Sequence, residues 1–461
     1  MQVEVVILLQ RKITEKLRAW KQQSERKALL VTGARQIGKS YAIRAFGAEA
    51  YPVFVEINLL EDVRARQALL EANDAAEFIR RLSILAQQDL VAGQTLVFID
   101  EVQEAPDIMT MAKFLVEDGR FDWAFSGSML GTELKGVRSY PVGYVHELTM
   151  RPLDFEEFCW AIGVTHDAMA QVRTACANER PVASYLHDAM LLNFRTYLVV
   201  GGMPEVVQRF LDTDGDLAGI RSLQSELNVQ YRRDISKYAG SRALYVQSIF
   251  DQLPVQLEGD TQKFVLNSID PDARYQKYQR DFVWLENAGV GLKTDLVNEP
   301  KSPLLKTAQP SRFKLYQSDT GMLMARYPAS VSQAAYLADK HPNLGGIYEN
   351  VVAQELSAQG HELYYYMTKR RGEVDFIVDG PQCSAVAIEV KSGSYYHSHA
   401  ALDHILDAPE YGVDLGIVLS QGNVERDGKV LYLPIYAAFC LPAYLDSEAG
   451  AQGFRLNVAA V

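Results

Sequence analysis

The run Gly33-Ala34-Arg35-Gln36-Ile37-Gly38-Lys39-Ser40 constrains this chain more than any other stretch. It matches G-x-x-x-x-G-K-[ST] in full, directly follows the apolar run Leu29-Leu-Val-Thr32, and opens a helical pattern that runs from Lys39 to Phe46. A strand, a glycine-rich turn and a helix in that order aim backbone N–H groups and a helix N-terminus at a polyphosphate. Lys39 is then expected to reach the terminal phosphates and the Ser40 hydroxyl to ligate magnesium, with Tyr41 next on the same helix. Lys39 is expected to be an exposed loop side chain that contributes little to packing.

A strand feeding a helix in this way belongs to a parallel sheet with crossover helices. The first third supplies the rest: candidate strands at 28–32, 52–58, 95–100, 122–126 and 147–150, and helical periods at 39–46, 75–88 and 107–117. The expected fold class is α/β, beginning with a doubly wound parallel sheet. Its third strand, Leu96-Val-Phe-Ile99, ends in Asp100-Glu101. Asp100 would hold magnesium through water, and Glu101 would orient and deprotonate an attacking water. The next strand ends in Phe125-Ser-Gly-Ser128, where Ser128 is the candidate to sense a γ-phosphate, although a simple turn explains it almost as well. Arg138 is a candidate arginine finger, in cis or in trans, and an unpaired surface arginine is the plainer reading.

From 156 to 240 the pattern is mainly helical, broken by the turn Gly201-Gly-Met-Pro204. Between 241 and 325 a helical period at 275–287, Gly289, and strand-like runs at 290–297 and 313–317 are the ingredients of a winged helix-turn-helix. A second α/β unit occupies 345–461, so the expected domains are 1–155, 156–240, 241–325 and 345–461. That last unit carries Glu373-Val-Asp375 and Glu389-Val-Lys391 on adjacent expected strands. Glu389 and Lys391, two apart, share a face, and Asp375 joins them if the strands pair. Two carboxylates and a lysine suit a magnesium ion that activates water against a phosphodiester. Glu349, with Glu355 as second choice, would complete the ligand set; a solvated strand end is the bland alternative.

Composition narrows the partners. With 461 residues at a net charge of -12, the chain is not one that coats nucleic acid by bulk attraction, so any contact with DNA needs a local basic face such as Arg274, Lys277 and Arg280 or Lys369-Arg370-Arg371. Its four cysteines form no C-x-x-C, which fits a reducing cytoplasm. No apolar run approaches the ~18 residues of a membrane span. The three histidines His397, His399 and His404 match no zinc spacing and read as surface and packing residues.

Taken together, these stretches resemble a widespread prokaryotic family of AAA-type predicted ATPases with a C-terminal domain of unknown function. The likeness also runs through Val97-Phe-Ile-Asp-Glu-Val-Gln103, Glu147-Leu-Thr-Met-Arg-Pro-Leu-Asp-Phe-Glu-Glu-Phe158, Val200-Gly-Gly-Met-Pro-Glu205, Lys314-Leu-Tyr-Gln-Ser-Asp-Thr-Gly321 and Tyr348-Glu-Asn-Val-Val-Ala-Gln-Glu-Leu356. It implies a P-loop NTPase domain of the ASCE type, a helical and winged-helix middle, and a restriction-endonuclease-like PD-(D/E)xK core. It assigns Lys39 and Ser40 to nucleotide and magnesium, Asp100 and Glu101 to the catalytic acidic pair, and Asp375, Glu389 and Lys391 to the nuclease-like site. Where the family usually reads Gly-Arg, this chain has Gly143-Tyr144, which removes an arginine at that point.

The resulting expectation is a cytoplasmic ATPase with ATP and Mg2+ as cofactors, whose nucleotide state controls the C-terminal nuclease-like domain. DNA is a candidate partner through the winged helix and the C-terminal domain, and a homo-oligomer is a candidate assembly. The competing reading is a switch or scaffold whose nuclease-like domain docks DNA or protein without cutting.

Overall fold

Side-chain alternation along the first strand assigns one face to each of two apolar layers. Leu29 and Val31 enter the core shared with the first two helices, while Ala28 and Leu30 enter a second core on the opposite face. The computed structural model describes residues 9–128, 141–259, 263–272, 274–339, 343–370, 372–381 and 384–446; Arg138 and Arg371 lie outside them.

The first sheet contains β1 (Ala28–Thr32), β2 (Val53–Asn58), β3 (Thr95–Asp100), β4 (Asp122–Gly127) and β5 (Val145–Thr149). All pairs are parallel and the order is β2-β3-β4-β1-β5, so β4 is inserted between the strand before the glycine loop and the strand ending in Asp100. β3 is buried along its whole length, as a central strand covered on both faces must be. Its helices are α1 (Ile13–Lys21), α2 (Lys39–Ala50), α3 (Val63–Leu70), α4 (Ala75–Ala86) and α5 (Ala112–Asp118). The turn before α5 is a 3-10 run, Pro106–Met111, where a longer α-helix was expected. Pro106 starts that run because its missing N–H costs nothing in a first turn.

Among the described residues the helices that follow are α6 (Phe155–Ala161), α7 (His166–Ala177), α8 (Ser184–Val200), α9 (Pro204–Asp212), α10 (Leu217–Tyr238), α11 (Ala243–Leu257) and α12 (Tyr275–Asn287). The Gly201-Gly202 break between α8 and α9 is required by space. A Cβ on Gly202 would lie 2.0 Å from the Leu153 carbonyl oxygen.

The second sheet is mixed and has eight strands. It is built from β6 (Gly291–Val297), β7 (Ala308–Gln317), β8 (Tyr364–Thr368), β9 (Gly372–Asp379), β10 (Ala385–Val390), β11 (Leu415–Ser420), β12 (Glu425–Asp427) and β13 (Val430–Pro434). The order is β12-β13-β11-β10-β9-β8-β6-β7. Around it lie α13 (Thr320–Met324), α14 (Ala329–Leu337), α15 (Gly345–Ala358), α16 (Ala400–Leu406) and α17 (Pro442–Leu445).

The β6–β7 ribbon, expected as the wing of a separate 241–325 domain, is instead the outer part of this sheet, because β6 pairs in parallel with β8. A wing would hang free, whereas Phe313 to Gln317 of β7 are all buried. One apolar core runs from α1 and α2 through the helical middle to α15 and β10, so the two sheets are joined by packing as well as by chain.

Candidate nucleotide site and acidic centre

The glycine loop has the backbone that its sequence demands. Gly33 has φ +136° and a Cβ there would lie 2.2 Å from the Met150 carbonyl oxygen; Gly38, φ +89°, immediately precedes α2. Lys39 is 6% exposed, which corrects the expectation of an exposed loop side chain. Its ammonium folds back over the loop and donates to the carbonyls of Gly33 at 3.1 Å and Ala34 at 2.7 Å. Burial lowers its pKa to about 8, against the pull of Glu101 and Asp100.

Ser40 donates from Oγ to Asp100 Oδ1 at 2.9 Å, and Ser126 donates to the same oxygen. Asn58 Nδ2 holds Asp100 Oδ2 at 3.2 Å. The Ser40 hydroxyl and the Asp100 carboxylate thus form an oxygen pair at the loop that fits a magnesium ion. Glu101 has φ +56°, a left-handed conformation for a non-glycine residue. Its carboxylate accepts from the Gln103 amide, which also reaches Ser128 Oγ at 3.4 Å. Ser126 and Gln103 were missed in the sequence; a polar residue after the apolar run Trp123-Ala-Phe125 of β4 was the signal for the first.

Elements from further along the chain grip the loop. On α10, Asp234 Oδ1 pairs with Arg35 Nη1 at 2.7 Å, Gln230 Oε1 accepts from Gln36 at 2.8 Å, and the Tyr231 hydroxyl donates to the Arg35 carbonyl at 3.1 Å. Gly289, φ +72°, follows α12 and approaches so closely that a Cβ there would lie 2.9 Å from the Ala34 nitrogen. Arg11 donates from Nη1 to the Ile37 carbonyl at 3.0 Å and from Nε to Glu157 Oε2 at 3.1 Å. Tyr41 is half exposed and lines a cavity of about 1030 Å³ with Gly38, Arg11, Met150, Trp160 and Pro204. Tyr144, where an arginine was absent, donates to Glu117 at 2.7 Å.

In the second sheet Asp375 on β9 accepts from the Val390 N–H at 2.8 Å, and Lys391 donates to Glu389 Oε1 at 2.6 Å. Glu349 on α15 joins them, but through a residue the sequence reading left without a role. Lys314 on β7 has no exposed surface, and its Nζ lies 2.8 Å from Glu349 Oε2, in contact with Glu373 Oε1, and 3.7 Å from Asp375 Oδ1. Tyr316 donates to Glu349 Oε2 at 2.8 Å. Burial, then Glu349 and Glu389, raise the Asp375 pKa well above the carboxylate range.

Glu355 lies elsewhere: it accepts from the Phe155 N–H at 2.7 Å, beside Asp154 and Lys12. Among the described residues, no group of three or more His, Cys, Asp or Glu side chains is arranged to hold a metal ion. His399 is buried and bonds to Tyr432 at 2.7 Å. Lys277 pairs with Asp270 at 3.1 Å, and Arg274, Arg280, Lys369 and Arg370 are exposed. No described helix is long and apolar enough to cross a membrane.

Three family models match the sequence: an AAA domain over residues 25–159, a domain of unknown function (DUF8612) over 191–333, and a domain of unknown function (DUF4143) over 344–437. No curated protein matches. Among solved structures, the chain is similar to a Walker-type ATPase of Pyrococcus abyssi at 14% identity and TM-score 0.43, over 69% of this chain and 96% of that one. It is also similar to the ORC1 protein of Aeropyrum pernix, solved in complex with DNA, at 12% identity and TM-score 0.26, over 71% of this chain and 91% of that one.

Proposed function

The chain carries an AAA-type ATPase domain followed by two domains of unknown function, and from that premise we propose that it is a magnesium-dependent ATPase whose nucleotide state is delivered to the second sheet. The observation that carries this reading is the grip on the phosphate loop by α10 and by Gly289, two residues ahead of β6. A loop that reshapes around a γ-phosphate cannot do so without moving Arg35, Gln36 or Ala34 against those elements.

Ser40 and Asp100 would hold the magnesium, which, when bound, offsets phosphate charge. Lys39 supplies a cation to the terminal phosphates. Glu101, held by the Gln103 amide that also reaches Ser128, would take a proton from water. The test is hydrolysis and exchange together: wild type should turn over ATP, and hydrogen exchange in α10 and the β6–β7 ribbon should differ between ATP-analogue and ADP states. Turnover with identical exchange would leave an ATPase without the transmission.

The second sheet has two readings. Control of a nuclease is supported by Asp375, Glu389 and Lys391 on neighbouring strands, and DNA contact by exposed Arg274, Arg280, Lys369 and Arg370. A docking module that does not cut is favoured by one observation, the ammonium of Lys314 among the carboxylates. Plasmid cleavage with manganese, lost in Lys391→Ala, would restore the first reading.

A further inference from the structure

Four carboxylates converge in the second sheet: Glu349 from α15, Glu373 and Asp375 from β9, and Glu389 from β10. Three of them, Glu349, Asp375 and Glu389, are buried outright, and clustered buried carboxylates need a counter-charge. A nuclease of the resembled type would supply a divalent metal. The residues present do not fit one as they stand. Magnesium requires near-octahedral oxygens at about 2.0–2.1 Å, and Lys314 Nζ already lies against Glu349 Oε2, Glu373 Oε1 and, at 3.7 Å, Asp375 Oδ1.

Lys314 is held in place, because its side chain has no exposed surface and its backbone pairs with Thr294 of β6 on one side and bridges to Lys263 on the other. The Gln317 N–H donates to Asn350 Oδ1 at 2.8 Å, and Asn350 Nδ2 donates back to the Gln317 carbonyl at 3.0 Å. Tyr316 binds the same Glu349 oxygen as Lys314 does. Lys391, the lysine expected to serve the reaction, is instead engaged with Glu389 Oε1.

We propose that Lys314 is the resident cation of this centre: its ammonium holds the place between Glu349, Glu373 and Asp375 that a divalent metal would need, and so excludes the metal. The centre is then a lysine-neutralised joint between β7, β9 and α15. The buried oxygens without a hydrogen-bond partner, Glu373 Oε2 and Glu389 Oε2, are the atoms a metal would use if the lysine were removed. Removing Lys314 would leave Lys391, paired with Glu389, as the one ammonium beside the four carboxyl groups, and that loss of counter-charge is the drive for a metal to enter. This inference is independent of ATP hydrolysis.

The test is Mn2+ binding to the nucleotide-free full-length chain, read by calorimetry and by the electron paramagnetic resonance of free Mn2+. Wild type and Asp375→Asn should give the same isotherm, since any weak binding at Ser40 and Asp100 is common to both. Lys314→Met should gain one site per chain at least tenfold tighter than any in wild type, and Lys314→Met combined with Asp375→Asn should lose it. A wild-type site that Asp375→Asn or Glu389→Gln abolishes overturns the proposal, as does a folded Lys314→Met variant, checked by circular dichroism, that gains none. If Lys314→Met does not fold, the comparison of wild type with Asp375→Asn and Glu389→Gln still decides it.

Discussion

At the scale of single residues, Lys39 donates to the Gly33 and Ala34 carbonyls, and the proposed function asks the same ammonium to meet the terminal phosphates. Lys39→Met, which keeps the stem and removes the ammonium, is expected to lower ATP turnover by at least about a hundredfold, as measured by phosphate release, while the far-ultraviolet circular dichroism is unchanged. Gly289→Ala puts a methyl 2.9 Å from the Ala34 nitrogen at a φ of +72°. It should cost about 1–3 kcal/mol in denaturant unfolding and should also weaken nucleotide binding, because the strain falls on the loop itself. That Lys39, Ser40, Asp100 and Glu101 sit together was legible in the sequence, since a strand followed by a turn or by acids places them without knowledge of distant partners. Ser126, Gln103 and Lys314 could not. Each is one polar residue whose role depends on strand order, and Lys314 meets Glu349 and Asp375 only because β7, β9 and α15 converge.

At the scale of elements, α15 has different work at its two ends. Glu349 faces the acidic centre, while Glu355, six residues and about 9 Å along the helix, accepts from the Phe155 N–H at the start of α6. Burial, with Asp154 beside it, pushes the Glu355 carboxyl up to about 8, against the pull of Lys12. A carboxyl raised in the fold binds a proton that the unfolded chain releases, so its contribution is present below the ordinary carboxylate pKa and is lost as pH rises through about 8. Glu355→Gln keeps the acceptor and removes the titration. Its melting temperature should match wild type near pH 5 and exceed it near pH 9; equal slopes of melting temperature against pH for the two proteins would show that Glu355 is not the titrating group. The ribbon shows the limit of element-level reading. A helix, a glycine stop and two strands have the same local pattern whether the ribbon hangs free or pairs, and its pairing partner β8 begins at Tyr364, far along the chain.

At the scale of the whole molecule, the first sheet and the mixed second sheet share one apolar core, and the loop is held on one side by α10 and by Gly289 ahead of β6. Saturating ATP analogue should therefore alter hydrogen exchange in α10 and in β6–β7 of wild type, with no such change in Lys39→Met. Periodicity was enough to identify an α/β chain with a parallel first sheet, whose strands and crossovers are local units. The second sheet was not legible as one body, since its strands come from both sides of the α13–α15 helices. That interleaving also bears on inheritance. A recombination junction between β7 and β8 would pass on six of the eight strands with an open β8 edge and with acids whose lysine had stayed in the other parent. The strands between residues 291 and 434 therefore form one unit of exchange, since a cut within that span separates pairing partners.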